Sequence, residues 1–283
     1  MLAATVLALA AAVLHAGWNL AIKTTGDREA VAFGQFVFGG VVFCPLLVWS
    51  GLPNGGAWPF LAASAVVHVV YVEGLVQAYH HGDFSFAYPL ARGGGALTAA
   101  VLGAVTLGDT LPAPAWLAIA LVGAGLVSLV RRGTTRASLG WALVTAAVIG
   151  GYTVIDTAGA RRAGAAVGER LAYGIVLTLL AAVALTIAGV ARGRAPTWGA
   201  ALRAHWPRMV VSGAAVTAAY SLVLVAVSIR GVSVGYVATL RESSVVLGAL
   251  AGWLFLRERL GRARLVSSLV VLAGMIALIA ARP

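Results

Sequence analysis

FSFAYPLARGGGALTAAVLGAVTL, residues 84–107, is the stretch of sequence that decides the fold. It is long and apolar enough to cross a bilayer, because about 20 residues of α-helix span the hydrocarbon layer. Arg92 nevertheless lies in its first half, with Pro89 before it and three glycines directly after it. A charge at that depth costs about 3 kcal/mol or more unless it faces a partner or a polar cavity, so it marks a functional site. The alternative is a structural Arg–carboxylate pair beside a seam of small residues that packs helices together.

The composition of the whole chain is that of a membrane protein. Of the 283 residues, 61% are hydrophobic and 10% are charged, whereas a soluble domain has about 25% charged residues. The net charge of +11 could indicate nucleic-acid binding, but most basic residues lie in short loops between apolar runs, which is typical of membrane orientation. The single cysteine, Cys44, excludes an intramolecular disulfide and a cysteine-based metal site. We therefore predict an all-α membrane protein with no nucleic acid, metal or cofactor bound.

Apolar segments follow one another along the chain with short connections. The first lacks the basic flank of a signal peptide, so it is predicted to be a retained helix. Only the connection 191–206 is long enough for a small interfacial helix, which Trp198 and Trp206 would anchor. The ten segments cover about 2–22, 30–50, 58–79, 84–107, 114–130, 139–158, 169–190, 207–229, 232–256 and 264–281.

The second half of the chain repeats the first. An offset of 149 carries several first-half residues onto the same or similar second-half residues: Tyr71 onto Tyr220, Gly82 onto Gly231, Arg92 onto Arg241, Asp109 onto Glu258 and Gly125 onto Gly274. Because each copy would hold five helices, an odd number, the second copy must be inverted relative to the first. We therefore predict ten transmembrane helices as two inverted five-helix repeats, 1–138 and 139–283. Such repeats characterise secondary transporters, whose substrate site lies near the bilayer midplane between the halves.

Loop charge indicates an orientation. Loops that follow odd-numbered segments contain 13 basic residues, and the opposite side contains five. The positive-inside rule then places both termini outside the cytoplasm.

Polar and ionisable residues recur at helical spacing inside the predicted segments. Pairs four residues apart share one face of a helix; they are Glu73 with Gln77, Tyr88 with Arg92 and Tyr152 with Asp156. Polar faces from several helices are buried together only around a common cavity. The predicted substrate-binding residues are His15, Trp18, Asn19, Tyr71, Tyr88, Arg92, Tyr152, Tyr220 and Arg241. The predicted proton-coupling residues are Glu73, Asp156 and Glu242, with Glu73 first because it lies nearest the middle of its segment.

Each of these residues also has a structural interpretation. His15 and Asn19 could be interhelical hydrogen-bonding partners, worth about 0.6 kcal/mol. His68, in a run of Val and Ala, is interpreted as a core histidine, and Asp156 could instead reach headgroups or water. Arg241 and Glu242 are adjacent and point about 100° apart, so one is predicted to face the cavity and the other a neighbouring helix.

No enzyme signature competes with these interpretations. The sequence contains no G-x-S-x-G elbow, H-E-x-x-H motif or P-loop, so we predict that the protein is not an enzyme.

Three motifs resemble the EamA-type transporters of the drug/metabolite transporter superfamily: HAGWN at 15–19, GDFSFAYPLARGGGAL at 82–97 and RESSVVLGALAGWLFLRERL at 241–260. YTVID at 152–156 is compatible with the start of the second repeat. The resemblance covers nearly the whole chain. It implies ten helices in two inverted repeats and outward movement of small metabolites across a bacterial inner membrane. It also implies cytoplasmic termini, in contrast to the loop charge.

The leading hypothesis is a multi-pass inner-membrane secondary transporter that exports a small anionic or zwitterionic metabolite, such as an amino-acid-like compound, because two arginines lie at equivalent depth. The alternative is a proton-coupled exporter of lipophilic cations or drugs, with tyrosines and Trp18 as cation–π walls. A non-transporting scaffold or sensor is a third possibility, against which the buried ionic face argues. The expected partners are a small-molecule substrate, the lipid bilayer and a second copy of the chain in a homodimer.

Overall fold

The computed structural model describes residues 1–23, 28–81, 84–128, 135–247 and 262–281. Within these ranges the side chains of 18–23, 28–29, 79–80, 84–89 and 262–265 are not described. The described residues form helices and connecting turns, and no strand occurs among them. The helices are α1 (Leu2–Lys23), α2 (Arg28–Phe43), α3 (Leu46–Ser50), α4 (Trp58–His81), α5 (Phe84–Thr106), α6 (Ala113–Val127), α7 (Arg136–Arg162), α8 (Val167–Ala191), α9 (Ala195–Val227), α10 (Val234–Arg241) and α11 (Arg262–Ala281).

Local sequence signals explain several of the helix boundaries. The hydroxyl of Thr135 accepts a hydrogen bond from the backbone N–H of Ser138 at the start of α7, at 3.1 Å, and Ser233 accepts one from Tyr236 at the start of α10, at 3.2 Å. Each hydroxyl pairs a backbone donor that has no partner within the helix. Gly231 has a φ of 78°, so the turn before α10 uses the left-handed region that glycine enters without a steric penalty.

The connection 191–206 differs from its prediction. Instead of a separate interfacial helix, α9 begins at Ala195 and continues through Pro207 to Val227. Trp198 is buried and stacks on Phe33 with ring centroids 4.3 Å apart, so it packs α9 against α2 rather than anchoring an interface. Trp206 is exposed. Proline has no backbone N–H, but a helix can continue through it when neighbouring packing holds both sides.

Four helical stretches are long and apolar enough to cross a membrane: Gly55–Ala78, Arg136–Arg162, Val167–Ala191 and Ala195–Val227. The other described helices include shorter apolar stretches. The outer faces also carry large apolar side chains, with Leu117 74% and Ile187 65% exposed. A soluble protein rarely exposes an apolar surface of this kind, whereas lipid requires it. The protein is therefore an α-helical protein of membrane type.

Small residues bring the helices close together. α2 and α9 meet where a Cβ at Gly213 would lie 2.6 Å from the carbonyl oxygen of Gln35 and 2.7 Å from the backbone nitrogen of Gly39. Such an approach leaves no space for a side chain, so small residues at this crossing act as the packing surface that lipid-embedded helices use.

The contact between α6 and α11 is reciprocal and antiparallel. A Cβ at Gly125 of α6 would lie 2.8 Å from Val271 of α11, and a Cβ at Gly274 of α11 would lie 2.7 Å from Val122 of α6. The sequence number therefore rises in one helix as it falls in the other.

The polar residues in the interior lie where helices from both halves of the chain meet. α7 packs against α4 and α5, α9 packs against α1 and α2, and α10 packs against α1 and α5. This arrangement brings side chains from distant parts of the sequence to one place.

Candidate functional site

Asp156 on α7 is the centre of one group of polar side chains. It is fully buried, and its Oδ1 accepts a hydrogen bond from the hydroxyl of Tyr173 on α8 at 3.0 Å. Its Oδ2 accepts a short hydrogen bond from the hydroxyl of Tyr220 on α9. The alternative that Asp156 reaches headgroups or water is therefore wrong. These two bonds connect three helices through one carboxylate. A buried acid needs such hydrogen bonds to offset its loss of hydration.

His68 on α4 lies beside this carboxylate. Its Nδ1 is 2.8 Å from the backbone oxygen of Ser64 and 3.2 Å from the Ser64 hydroxyl. Because a carbonyl oxygen only accepts, Nδ1 is the donor, and Nε2 of the neutral ring is then an acceptor. His68 also interacts electrostatically with Asp156. His68 is thus a hydrogen-bonded buried histidine, as its sequence context indicates, but it lies among predicted site residues.

Aromatic rings from four helices surround His68. The His68 ring centroid is 4.5 Å from that of Tyr152 and 6.2 Å from that of Tyr71, while the centroids of Tyr152 and Tyr220 are 6.2 Å apart. These separations are typical of interacting aromatic pairs. We name this group the aromatic cluster: Phe36, His68, Tyr71, Tyr152 and Tyr220. It contains three of the predicted substrate-binding residues.

Arg92 and Glu242 form a buried ion pair between the two halves of the chain. Arg92 Nε donates to Oε2 of Glu242 at 3.1 Å, and Nη2 donates to Oε1 at 2.7 Å. Arg92 is 4% exposed and Glu242 is 1% exposed. Two parallel hydrogen bonds of this kind make the strongest geometry available to a guanidinium and a carboxylate. The sequence allows two interpretations of Arg92, as part of a functional site or as a member of a structural Arg–carboxylate pair. The structure supports the pair in this conformation.

Arg241 and Glu242 lie at an interruption of the helix. α10 ends at Arg241, and 243–247 is again helical. Around the interruption, the N–H of Glu242 donates to the carbonyl oxygen of Thr239 and the N–H of Val245 donates to that of Glu242, both at 3.0 Å. Both bonds span three residues, the tighter pattern that inside a helix often marks a functional hinge. Arg241 itself is buried, at 4% exposure.

His15 on α1 belongs to the same region. It is partly buried and interacts electrostatically with both Arg92 and Arg241. His15 is thus close to the two arginines that the repeat predicts to be equivalent. Tyr152 interacts electrostatically with Arg92, Arg241 and Asp156, so it lies between the arginines and the aromatic cluster.

Glu73 lies apart from this region. Its Oε1 accepts a hydrogen bond from the Gln77 side chain at 2.9 Å, which confirms that the two residues share a face of α4. Its Oε2 is 2.8 Å from Arg192 Nη1 and 3.6 Å from Arg194 Nη1, and its side chain is 24% exposed. Arg192 caps the end of α8, so Glu73 lies at the level of a helix end rather than at mid-depth.

A second ion pair connects the opposite ends of the helices. Arg161 Nη1 is 3.0 Å from Oδ1 of Asp109, and Arg161 also donates to the backbone oxygens of Val227 and Val232 at 3.0 and 2.8 Å. The other carboxylate oxygen of Asp109 accepts from the N–H of Val234 at 2.6 Å. These bonds tie the ends of α5, α7 and α9 to the start of α10. Asp109, Arg161 and Val232 line a cavity of about 430 Å³.

The remaining predicted site residues lie outside the residues whose side chains are described. They are Trp18, Asn19 and Tyr88. All the other predicted site residues except Glu73 form two neighbouring groups, one around Asp156 and one around the two arginines.

Sequence reasoning missed two members of the site. Ser64 is four residues before His68, and this spacing on one helix face could have indicated their hydrogen bond. Tyr173 lies in an apolar segment, where a buried phenol usually requires a hydrogen-bond partner. The second signal does not identify the partner, because Tyr173 and Asp156 come from different helices. Among the described residues no group of three or more His, Cys, Asp or Glu could hold a metal ion.

The comparisons with known proteins identify a fold and no function. No family model and no curated protein matches the chain. One solved structure, described only as "Crystal structure of protein", is similar to it with a TM-score of 0.74 and 16% sequence identity, over 99% of this chain and 97% of that chain. At that identity the likeness shows that the whole chain adopts a fold already seen in a solved structure.

Proposed function

We propose that the protein is a secondary transporter of a small anionic or zwitterionic organic solute, built as ten membrane spans in two inverted five-helix repeats. The observation that carries this proposal is the set of buried charges between the halves: Arg92, Arg241, Asp156 and Glu242 are each at most 4% exposed. Charges inside a membrane protein are expensive and usually belong to a substrate or ion pathway. A scaffold would have no need of them.

The contact between α6 and α11 supports the inverted repeat. The offset of 149 carries Val122 onto Val271 and Gly125 onto Gly274, and these residues contact each other crosswise. Such reciprocity is what a two-fold axis produces, because residue i then meets residue j of the other copy and j meets i. Since the two helices are antiparallel at the contact, the axis supports inversion rather than a parallel repeat.

The remaining helix packing agrees with the same two-fold relation. α4 and α9 are the third helices of their predicted repeats, and α7 and α1 are the first. α4 packs against α7 as α9 packs against α1. The interruption of α10 beside Arg241 and Glu242 adds a second feature of transporters, whose substrate sites are commonly formed by discontinuous helices.

Several finer features of the proposal rest on the sequence alone. The resemblance to EamA-type transporters supports a bacterial inner-membrane location, multi-pass insertion and export. The loop charge of 13 basic residues against five supports an orientation with both termini outside the cytoplasm. A homodimer stays a prediction.

The alternative, export of lipophilic cations, is favoured by one observation. Asp156 is buried beside the aromatic cluster, and a carboxylate next to aromatic faces is suited to a large organic cation. The anionic or zwitterionic solute is favoured because two guanidinium groups, Arg92 and Arg241, lie in the same interior.

Flux measurements in proteoliposomes test the proposal. Purified protein would be reconstituted and supplied with radiolabelled glycine, lactate, glutamate and tetraphenylphosphonium, with and without a pH gradient. We expect protein-dependent flux of a carboxylate-bearing solute. Flux of tetraphenylphosphonium alone would support the alternative, and absence of flux for every solute would support a scaffold. Liposomes without protein serve as the control for nonspecific leakage.

A further inference from the structure

The two arginines that the repeat makes equivalent have different neighbours in sequence. The offset of 149 carries Arg92 onto Arg241, and it carries Gly93 onto Glu242. Each half therefore supplies one guanidinium, but only the second half supplies a carboxylate after it. Under a two-fold relation, the bond from Arg92 to Glu242 would have an image from Arg241 to position 93, where glycine has no side chain to accept it.

The hydrogen bonds of Arg241 agree with this asymmetry. Its Nε is buried and has no hydrogen-bond partner, and Arg241 forms no ion pair within the described part of the chain. Glu242, its neighbour in sequence, is bound through both carboxylate oxygens to Arg92. Glu242 also interacts electrostatically with Arg241, so the three side chains together carry two positive charges and one negative charge. The excess buried positive charge is the costly part of this arrangement.

A second buried polar group lies next to Arg241. The hydroxyl oxygen of Ser244 is also buried without a partner among the described residues. Ser244 follows Arg241 by three residues across the interrupted turn, whose backbone hydrogen bonds also span three residues, so Arg241 Nε and the Ser244 hydroxyl can bind one ligand. Buried polar atoms in folded proteins are almost always hydrogen-bonded, and each exception needs an explanation, of which a bound ligand is one.

We propose that Arg241 binds the carboxylate of the transported solute, while Arg92 is neutralised by Glu242 and does not contact the solute. This assignment rests on the proposed transport of an anionic or zwitterionic compound. Arg92 uses Nε and one Nη to hold both oxygens of Glu242, and the carboxylate of the solute does the same with Arg241. A guanidinium has the planar geometry for this grip, which a lysine ammonium lacks.

The neighbours of Arg241 are suited to a small organic anion. His15 and Tyr152 interact electrostatically with Arg241, and so does Tyr220. They place α1, α7 and α9 around the guanidinium. The aromatic cluster lies next to it, because Tyr152 and Tyr220 belong to both groups. The remainder of the solute would then contact these rings while its carboxylate binds Arg241.

The first test measures stability and needs no ligand. Thermal unfolding midpoints of detergent-purified wild type, Arg92→Gln and Arg241→Gln would be compared. Arg92→Gln leaves Glu242 buried without the guanidinium that binds both of its oxygens, so we expect a lower midpoint. Arg241→Gln removes the excess positive charge, which forms no ion pair among the described residues, so we expect an unchanged or higher midpoint. A fall in Arg241→Gln as large as that in Arg92→Gln would show an internal partner for Arg241 and overturn the assignment.

The second test measures binding. The midpoint shift produced by formate, acetate, lactate, glycine or glutamate, at matched ionic strength against chloride, would be titrated for wild type, Arg241→Gln, Arg241→Lys and the double variant Arg92→Gln/Glu242→Gln. We expect Arg241→Gln and Arg241→Lys to lose about ten- to a hundredfold in affinity, as removal of hydrogen bonds to a charged group predicts. The double variant should bind carboxylates more tightly than Arg241→Gln does, because its substitutions remove no net charge and leave the Arg241 guanidinium in place.

The outcomes separate the assignment from the proposed function. Carboxylate binding that survives in Arg241→Gln but fails in a folded double variant would transfer the role to Arg92 and overturn the inference, while the transport function would stand. No shift with any carboxylate in wild type would overturn the inference. In that case, flux of a carboxylate solute in liposomes would keep the proposed function, and its absence would remove both.

Discussion

The buried pair of Arg92 and Glu242 yields the sharpest prediction about stability. Arg92→Gln removes two hydrogen bonds, of 3.1 and 2.7 Å, and leaves a carboxylate that is 1% exposed without its partner. Breaking a buried pair from one side costs about 3–5 kcal/mol, because the remaining charge keeps its desolvation penalty and loses its attraction. We expect Glu242→Gln to cost a similar amount.

The double variant Arg92→Gln/Glu242→Gln removes both charges together. Replacing both members of a buried ion pair is often close to neutral, because two desolvation penalties disappear with one attraction. We therefore expect the double variant to unfold within about 1–2 kcal/mol of wild type, so that the two single effects are strongly non-additive.

A double-mutant cycle measures this coupling. The four proteins would be purified in one detergent, and unfolding would be followed by circular dichroism under titration with a denaturing detergent. Glu73→Gln provides a control, since its partner Arg192 is 48% exposed and such pairs are worth about 0–1 kcal/mol. Additive effects in the cycle, or a cost for Arg92→Gln no larger than that of Glu73→Gln, would refute the reasoning.

Four further predictions concern other parts of the molecule. Tyr220→Phe removes one of the donors to Asp156, and we expect a loss of about 1–3 kcal/mol in unfolding free energy; an unchanged midpoint would contradict the contact. Asp156→Asn should abolish the dependence of flux on a pH gradient, because Asp156 is fully buried. Glu73→Gln should keep that dependence, because Glu73 pairs with arginines at a helix end. The reverse result would restore Glu73 as the proton site. Arg161→Gln should speed amide hydrogen exchange in 228–233, because Arg161 binds two backbone oxygens around that turn; equal exchange would show that the ion pair does not hold it. A reporter fused to the C-terminus should be active on the periplasmic side, as the positive-inside rule requires for 13 basic residues against five, and activity only in the cytoplasm would contradict it.

The sequence by itself determined the class of the protein and the elements of its architecture. Hydrophobic runs bounded by basic loops indicate membrane helices, and each predicted apolar segment overlaps a described helix, although 232–256 is described only to residue 247. The i to i+4 spacing of Glu73 and Gln77 predicted that they share a helix face, and their hydrogen bond confirms it, because residues four apart are neighbours on any α-helix. These features depend on local periodicity and composition alone.

Only the tertiary structure decided the partner of each buried polar group. The sequence left Arg92 with a solute, Glu73 or Glu242 as its partner, and the packing of α5 against α10 brought it to Glu242. The same packing showed Glu73 at a helix end and Asp156 between two phenols. Periodicity fixes the face of a helix that a residue occupies, but the rotation and neighbour of that helix depend on contacts between segments far apart in sequence. Here close approaches at glycines such as Gly213 set those contacts, and they are properties of two helices together rather than of either sequence alone.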